Sequence, residues 1–256
     1  MHALIDGDIL VYTAGFSAQK KDPETKEIIL LPLEFALANA KRLVVSILDK
    51  TQADDFSLFL TASSITFRDK IATIKEYKGN RKNVAKPIHY GDIREYLINT
   101  WGARLVENQE ADDMLGILQY RAFKVDPELS IICSVDKDLL MIPGWNYNIR
   151  KETRMFITEE DAITNFYCQL ITGDSTDNIP GLRGYGDKYP FKKARKYLEG
   201  SKDEVEMYQR AVAAYEKALP DLTFGQIENR ILEVGRLLWI LREPGWAWRP
   251  PTYATT

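Results

Sequence analysis

Short apolar segments alternate along the chain with stretches whose apolar residues recur at helical spacing. The apolar segments predict strands over Ala3–Ile5, Phe56–Leu60, Ala103–Val106, Leu129–Val135, Tyr147–Arg150 and Met155–Ile157. Helical spacing, with a capping signature at Thr158–Asp161, predicts helices over Leu33–Leu48, Asp92–Thr100, Glu110–Phe123, from Thr158 onward, and over Pro190–Leu198, Asp203–Leu219 and Gly225–Leu241. Strands that alternate with helices indicate an α/β fold with a mainly parallel sheet.

Two segments interrupt this alternation. Ser63–Tyr90 is basic, has little periodicity and contains Gly79 and Pro87, so we expect a mobile segment that a ligand orders. Gly173–Pro190 is rich in Gly, Asp and Pro and precedes a purely helical region. We therefore predict a core domain over residues 1–178 and a smaller helical domain over residues 179–256.

Composition excludes several classes of protein. The chain has 256 residues, 45% hydrophobic and 28% charged, which suits a folded domain and argues against disorder or a coiled-coil rod. No apolar run is long enough to span a bilayer, and the N-terminus lacks a signal-peptide pattern, so we expect a cytoplasmic protein without a membrane partner. Two cysteines and two histidines argue against a disulfide framework, a histidine-bound zinc and a Ser-His-Asp triad.

The net charge of −3 hides a segregation of charge. Between Arg68 and Lys86, seven basic residues face two acidic ones, a local charge of +5. Between Arg183 and Leu198, six basic residues face one acidic residue, again +5. Two basic patches beside an otherwise acidic chain indicate a nucleic-acid contact surface around an acidic centre.

Acidic residues recur where the predicted strands end or helices begin. They form four clusters: Asp6; Glu110, Asp112 and Asp113; Asp136 and Asp138; and Asp174 and Asp177. Because ligands collect at the carboxyl ends of parallel strands, all four can converge on one edge of the sheet. Carboxylates packed this closely repel one another, and bound divalent cations would remove that repulsion. Because the ligands are all oxygens, we expect two or more Mg²⁺ or Mn²⁺ ions. The alternative is that each acid simply caps a helix, and for Asp8 both interpretations stay open.

Two further motifs suit nucleic acid. In Tyr77–Lys82, the cations can neutralise phosphate and the tyrosine can stack on an unpaired base, although a solvated basic loop has the same composition. In Asn178–Lys188, two glycine turns precede a basic helix and offer backbone N–H groups to a phosphate, as in a helix-hairpin-helix module. An ordinary interhelical linker is the alternative.

In these motifs the chain resembles the flap endonuclease / 5′→3′ exonuclease family, including its stand-alone bacteriophage members. The resemblance rests on stretches whose order and spacing fit the family: Leu4–Gly7, Tyr77–Arg81, Glu110–Asp113, Asp136–Asp138, Gly173–Gly181 and Gly184–Lys188. It implies a PIN-like α/β nuclease fold, with a basic arch at about residues 63–90 and a helix–three-turn–helix duplex-binding module. It also implies metal-dependent cleavage of DNA phosphodiesters near 5′ ends, flaps and junctions, with RNA–DNA hybrids as further substrates.

The resemblance implies a role for each matching residue. Metal ligation falls to Asp6, Glu110, Asp112, Asp113, Asp136, Asp138, Asp174 and Asp177. Lys78 and Arg81 would steady the scissile phosphate. DNA contacts are expected from Tyr77, Arg68, Lys82, Lys86, Gly181, Gly184, Gly186, Lys188, Lys192 and Lys193, with K⁺ bound at the glycine turns. A monomer that works with phage replication proteins in DNA replication or in degradation of host DNA is expected.

One position departs from the family pattern. The family usually has an aspartate just after the second strand, where this chain reads Leu60-Thr61-Ala62-Ser63. The alternative function is therefore a non-catalytic DNA-junction-binding protein that keeps the fold. A PIN-type ribonuclease for free RNA fits less well, because such domains are usually shorter and lack the glycine-turn module.

Overall fold

The computed structural model of the chain describes residues 1–62, 65–81, 84–182 and 190–251. In chain order its elements are β1 (His2–Asp6), α1 (Gly7–Ser17), β2 (Gln19–Lys21), β3 (Ile28–Leu30), α2 (Leu33–Thr51), β4 (Asp55–Thr61), α3 (Phe67–Ile71), α4 (Tyr90–Trp101), β5 (Arg104–Val106), α5 (Ala111–Val125), β6 (Ser130–Ser134), β7 (Gly144–Asn148), β8 (Thr153–Ile157), α6 (Glu159–Thr172), α7 (Pro190–Leu198), α8 (Glu204–Ala218) and α9 (Phe224–Leu238).

The central sheet has six strands in the order β5-β4-β1-β6-β7-β8. All neighbouring pairs are parallel except β7 and β8, which form an antiparallel hairpin. Because β1 lies between β4 and β6, the carboxyl ends of these three strands meet at one edge of the sheet. The α/β fold with a mainly parallel sheet is thus confirmed.

Alternate residues of each central strand serve two different cores, because successive side chains in a strand point to opposite faces. In β1, Ala3 and Ile5 pack in a core with α1, α2 and α4, whereas Leu4 packs with α5 and α6. In β6, Ile131 and Cys133 join the first core, and Ile132 joins the second. Burial on both faces explains why these strands read as continuous apolar runs.

Three local features differ from the sequence prediction. The strand expected at Tyr147–Arg150 is Gly144–Asn148, and the following residues form the turn into β8. Helix α1 and the hairpin of β2 and β3 were not predicted. Hydrophobic residues lie on several sides of α1, so the helix carries little amphipathic periodicity and its sequence gives no clear signal.

The basic segment is more ordered than predicted in its described residues. Thr66 caps the short helix α3, and a 3₁₀ turn forms at Gly79–Arg81. Helix α3 packs against α9. The N-terminal part of the basic segment is therefore packed against the C-terminal helix α9.

The helices from residue 190 onward pack onto the α/β core. Helix α6 contacts α7, α8 and α9, and the ring of Trp248 lies 5.3 Å from that of Phe166 on α6. The division into two domains near residue 178 stays a prediction. None of the helices in the described ranges is long and apolar enough to cross a membrane.

Candidate active site

The carboxyl edge of the sheet places Asp6 at the centre of an acidic cluster. Asp6 ends β1 and caps α1: its Oδ1 accepts a hydrogen bond from the backbone N–H of Ile9 at 3.2 Å. Its Oδ2 accepts from the hydroxyl of Ser134, at the end of β6, at 2.7 Å. The same hydroxyl accepts from the N–H of Asp136 at 3.0 Å. One serine therefore links the carboxylate-bearing ends of two neighbouring strands.

The first turn of α5 brings the second group of carboxylates to this edge. The N–H of Ala111 donates to the hydroxyl of Thr61, at the end of β4, at 3.0 Å. This contact fixes the start of α5 beside the end of β4. Glu110 and Asp112 both line the cavity that opens there.

A third group of carboxylates lies where β6 and α6 end. Asp138 accepts one hydrogen bond from the side-chain amide of Gln169 and lies 3.5 Å from the ammonium of Lys137. The same ammonium lies 3.6 Å from Asp174. A single exposed lysine thus partly neutralises two carboxylates. Gln169, buried on α6, was missed by sequence reasoning because nothing local distinguishes it from a core residue.

All these groups face one cavity of about 910 Å³. Its acidic lining consists of Asp6, Asp8, Asp69, Glu76, Glu110, Asp112, Asp136, Asp138, Asp174 and Asp177, and its basic lining of Arg68, Lys78, Arg81, Lys86 and Arg94. The structure therefore brings together every predicted metal ligand except Asp113.

Burial and mutual repulsion disfavour full ionisation of the cluster. Burial, with the nearby charge of Asp8, raises the pKa of Asp6 to about 7. Burial, with repulsion from Asp136, likewise raises the pKa of Asp138 to about 7. Burial followed by the charges of Asp6 and Asp136 raises the pKa of Asp112 well above its usual range. Carboxylates held this way gain most from a nearby cation.

Two carboxyl groups show the opposite shift because they already have partners. Burial would raise the pKa of Glu110, but the charges of Lys78 and Arg68 outweigh it and lower that pKa. Burial would also raise the pKa of Asp174, but the hydrogen bond from Asp138 and the charge of Lys137 outweigh it. The pKa values within the cluster are therefore shifted in both directions.

The predicted catalytic cations reach the cluster directly. The ammonium of Lys78 lies 2.6 Å from Glu110 and 3.7 Å from Asp177. Arg81 pairs with Asp177 and donates from Nε to the carbonyl of Thr176 at 3.0 Å. The basic segment is therefore bonded to the loop that carries the last pair of acids.

Two predicted roles require correction. Arg68 was expected to contact DNA, but its side chain is only 3% exposed and its guanidinium is paired with Asp113. Asp113 was expected to bind metal, but both its oxygens are engaged by Arg68 and it does not line the cavity. The expected stacking of Tyr77 on a base stays a prediction: the residue lines the cavity, and its hydroxyl lies 2.9 Å from Asp177.

Asp8 lies next to the position where the family aspartate is absent. Its Oδ2 accepts from the N–H of Thr61 at 3.0 Å, and its Oδ1 accepts from Arg94 at 3.1 Å. Asp8 thus places a carboxylate at the end of β4 although β4 itself supplies none. Of the two interpretations left open for Asp8, this geometry favours membership of the cluster.

The remaining predicted DNA contacts divide into three groups. Lys86 is exposed at the cavity, 4.4 Å from the ring centre of Tyr90, and Lys192 and Lys193 are exposed on α7. Gly181 packs against the end of α6, where a Cβ atom would lie 1.8 Å from the carbonyl oxygen of Thr172. Lys82, Gly184, Gly186 and Lys188 lie outside the described residues.

The chemistry of the donor set fits divalent cations. Within the described residues, no three His, Cys, Asp or Glu side chains are already grouped around one ion position. Lys78 and Arg81 instead occupy the oxygens of Glu110 and Asp177. The mutually repelling carboxylates Asp6, Asp112 and Asp136 are oxygen ligands of the kind that Mg²⁺ and Mn²⁺ bind.

The fold and this acidic cavity, ringed by cations, are typical of α/β enzymes that act on phosphate esters. The N-terminal resolvase-like domain of 5′-3′ exonucleases matches residues 1–167, so the chain belongs to the 5′-3′ exonuclease family. The resemblance seen in the sequence motifs is thereby confirmed.

Relatives and solved structures agree with this assignment. The chain is 30% identical to the exonuclease of Escherichia phage T7 over 136 residues, which cover 48% of the chain and 44% of that protein. It is 26% identical to the exodeoxyribonuclease of Enterobacteria phage T3 over 208 residues, which cover 70% of the chain and 67% of that protein. The match with phage T7 exonuclease thus spans less than half of that protein.

The fold matches crystal structures of a phage T5 nuclease. A flap endonuclease of bacteriophage T5 in complex with DNA and metal ions superimposes with a TM-score of 0.57 at 17% identity, covering 91% of this chain and 98% of that one. The T5 5′-exonuclease with bound zinc ions also gives a TM-score of 0.57, at 16% identity, covering 92% and 100%. These structures confirm the expected PIN-like nuclease fold.

Proposed function

We propose that the chain is a divalent-metal-dependent nuclease that hydrolyses phosphodiester bonds of DNA near 5′ ends, flaps and junctions. The observation that carries this proposal is the convergence of carboxylates from β1, α5, β6 and the loop after α6 on one cavity beside Lys78 and Arg81. Membership of the 5′-3′ exonuclease family supports it.

Asp6, Glu110, Asp112 and Asp136 would hold one ion, and Asp138, Asp174 and Asp177 would help to hold a second. Mg²⁺ or Mn²⁺ suits this oxygen-only set better than zinc. Bound divalent ions supply activation of water and neutralisation of charge at the leaving oxygen.

The chain's own cations complete the reaction site. Lys78 and Arg81 now neutralise Glu110 and Asp177. When a phosphodiester enters, these two cations can turn to its non-bridging oxygens and offset the charge that grows there. A divalent ion that binds Glu110 or Asp177 would therefore replace Lys78 or Arg81 there and free that side chain to contact the substrate.

The surroundings define the substrate. The basic segment Ser63–Tyr90 would form an arch that a 5′ single strand orders, and Lys192 and Lys193 on α7 would contact duplex phosphates. RNA–DNA hybrids are proposed as further substrates, and K⁺ as the ligand of the glycine turns that follow Gly181. We further propose that the protein acts as a monomer in the cytoplasm, alongside phage replication proteins or in degradation of host DNA.

A doubly labelled 5′-flapped duplex tests this function. It is incubated with Mg²⁺ or with EDTA, beside a blunt duplex and an RNA–DNA hybrid, and the 5′- and 3′-labelled products are sized separately. Metal-dependent release of one to a few nucleotides from the blunt 5′ end shows a 5′→3′ exonuclease, and one flap-length product shows a structure-specific endonuclease. Tight DNA binding without cleavage in Mg²⁺ and Mn²⁺ contradicts the proposal and favours a non-catalytic junction-binding protein.

A further inference from the structure

A buried ion pair joins the base of the basic segment to the acidic first turn of α5. The guanidinium of Arg68, on α3, donates to the two carboxylate oxygens of Asp113 at 2.7 and 2.8 Å. The side chains are 3% and 0% exposed. The two residues are separated by 45 positions in the chain, so the pair is a tertiary contact, and Asp113 also completes the capping box of α5 with Glu110.

The same two side chains also bind the C-terminal segment Leu237–Leu241. Arg68 donates from Nε to the carbonyl of Leu237 at 2.9 Å and from Nη2 to the carbonyl of Trp239 at 2.7 Å. Asp113 accepts from the N–H of Leu241 at 3.1 Å. Arg68 and Asp113 therefore both hydrogen-bond to the backbone at and just after the end of α9.

Asp113 extends this network to the candidate metal ligands. Its Oδ2 accepts from the backbone N–H of Glu110 at 3.1 Å. Glu110 is the N-cap of α5, and its carboxylate points into the cavity, where it contacts Lys78. The backbone from which Glu110 and Asp112 project is thus held by a carboxylate that lies outside the cavity.

Stability alone does not account for such a pair. Removing two charges from water is costly, and apolar side chains of similar volume usually serve a core at least as well. The planar guanidinium of Arg68, however, donates directed hydrogen bonds to the carboxylate of Asp113 and to the carbonyls of Leu237 and Trp239. An apolar pair would make none of these bonds. The property that only the ion pair provides is a fixed orientation of the first turn of α5.

We propose that Arg68 and Asp113 are positioning residues that hold Glu110 and Asp112 in the geometry that divalent ions require. The segment Leu237–Leu241 forms the third part of this support. The proposal rests on the proposed function only in assigning Glu110 and Asp112 to the ions. It gives Asp113 a supporting role in place of the ligand role that its motif predicts.

The test measures binding of Mn²⁺ to the full chain without DNA, by isothermal titration calorimetry, together with thermal unfolding. The central variant, R68M/D113L, replaces the pair by apolar side chains and keeps the site free of an unpaired buried charge. We expect it to unfold cooperatively, as the wild type does, and to bind Mn²⁺ at least about tenfold more weakly. The R68K variant keeps a cation opposite Asp113 but loses the planar fork, and we expect it to weaken Mn²⁺ binding as well.

The matched control is E233A. Glu233 on α9 accepts from the N–H groups of Thr73 at 2.7 Å and Ile74 at 2.8 Å, so it ties the segment after α3 to α9 without touching Asp113. We expect E233A to bind Mn²⁺ like the wild type.

Two results would overturn the proposal: a folded R68M/D113L protein whose Mn²⁺ affinity stays within about twofold of the wild type, or equal losses in R68K and E233A. If R68M/D113L does not fold, the comparison of R68K with E233A decides. A wild-type protein that binds Mn²⁺ but cleaves no DNA contradicts the proposed function and leaves the positioning role standing.

Discussion

The ammonium nitrogen of Lys78 lies 2.6 Å from Oε1 of Glu110, so the basic segment and the acidic cluster are already in contact. Burial would lower the pKa of Lys78, but the charges of Glu110 and Asp177 outweigh it and raise that pKa. Lys78 is therefore protonated at neutral pH, and under the proposed function a phosphate would replace Glu110 as its partner.

This contact predicts that Lys78→Ala lowers turnover more than affinity for DNA. A cation that meets the reacting phosphate is worth about 10²–10³ in rate, whereas a single surface phosphate contact mainly changes binding and its dependence on salt. Single-turnover cleavage and equilibrium binding to the flapped duplex measure the two quantities.

Lys192→Ala is the control for Lys78→Ala, because Lys192 is exposed on α7, outside the residues that line the cavity. We expect it to weaken duplex binding at moderate salt while the rate at saturating enzyme stays unchanged. Equal losses of rate and affinity in Lys78→Ala would make Lys78 an ordinary phosphate contact.

The second prediction concerns Asp136, whose N–H donates a hydrogen bond to Ser134. The negative charge of its carboxylate helps to raise the pKa values of Asp6, Asp112 and Asp138. Asp136→Ala should abolish metal-dependent cleavage and leave DNA binding largely intact, because it removes a metal ligand and no cation. Gel-based cleavage and fluorescence anisotropy on the same substrate report both properties. Asp221→Ala, which removes an exposed carboxylate after α8, should cleave like the wild type. Robust cleavage by Asp136→Ala would contradict the assignment of this cluster as the metal site.

The third prediction is that the metal-free protein loses stability as the pH rises. The pKa of Asp6 and that of Asp138 are raised from 3.8 to about 7, first by burial. The folded state therefore binds protons that the unfolded chain has already released. This contribution is fully present below about pH 4 and is lost as the pH rises to about 7. Glu110 and Asp174 have lowered pKa values, so their contribution to stability is lost as the pH falls. That loss occurs only at acidic pH, below the range compared here.

Urea unfolding in EDTA at about pH 5 and about pH 8 measures this effect, and the free energy of unfolding should fall by on the order of a few kcal/mol. Added Mg²⁺ should restore more stability at the higher pH, because the ion competes with protons for the same oxygens. Asp6→Asn should flatten the pH dependence. A wild-type free energy of unfolding that is constant or rises across this range would show that these carboxyl groups are ionised in the folded protein.

Much of the fold and of the acidic cluster could be predicted from the sequence, for a definite physical reason. Strands buried on both faces leave apolar runs such as Leu129–Val135, and acids that follow such runs mark the carboxyl edge of a parallel sheet. This reasoning located Asp6 and Asp136. It could not separate Asp112 from Asp113, because both stand in the first turn of α5 and only the partner of Asp113 distinguishes them.

That partner, Arg68, illustrates what local patterns cannot reveal. A basic residue in a basic, aperiodic segment has the same sequence signature whether it binds DNA or is buried in a tertiary ion pair. The contact of Tyr77 is hidden for the same reason, since its hydroxyl donates to Asp177, a hundred residues away along the chain. Asp8 shows the converse case, because its contact with Thr61 depends on the pairing of β1 with β4.

The last prediction compares two glycines to test the packing of the loop that carries Asp174 and Asp177. A Cβ atom on Gly181 would lie 1.8 Å from the carbonyl oxygen of Thr172 and 2.8 Å from the N–H nitrogen of Gly173, both backbone atoms that cannot move aside. Gly181→Ala must therefore push this loop away from the end of α6. The loop is held there by the bond from the N–H of Leu182 to the carbonyl of Ile171, at 3.0 Å. We expect a loss of about 1–3 kcal/mol or more in the free energy of unfolding. Weaker Mn²⁺ binding should accompany it, because Asp174 shifts with the loop.

Gly91, in the first turn of α4, is the opposite case: its Cβ would meet nothing within 4 Å. Gly91→Ala should stabilise the protein by about 0.5–1 kcal/mol, because alanine loses less backbone entropy than glycine on entering a helix. Urea unfolding of both variants gives the comparison, and calorimetry with Mn²⁺ shows whether only the Gly181 variant changes ion binding. A Gly181→Ala protein as stable as Gly91→Ala would mean that the loop lies further from α6 than the structure places it. In that case Asp174 and Asp177 could not share the cavity with Asp138 in the way the proposed second ion requires.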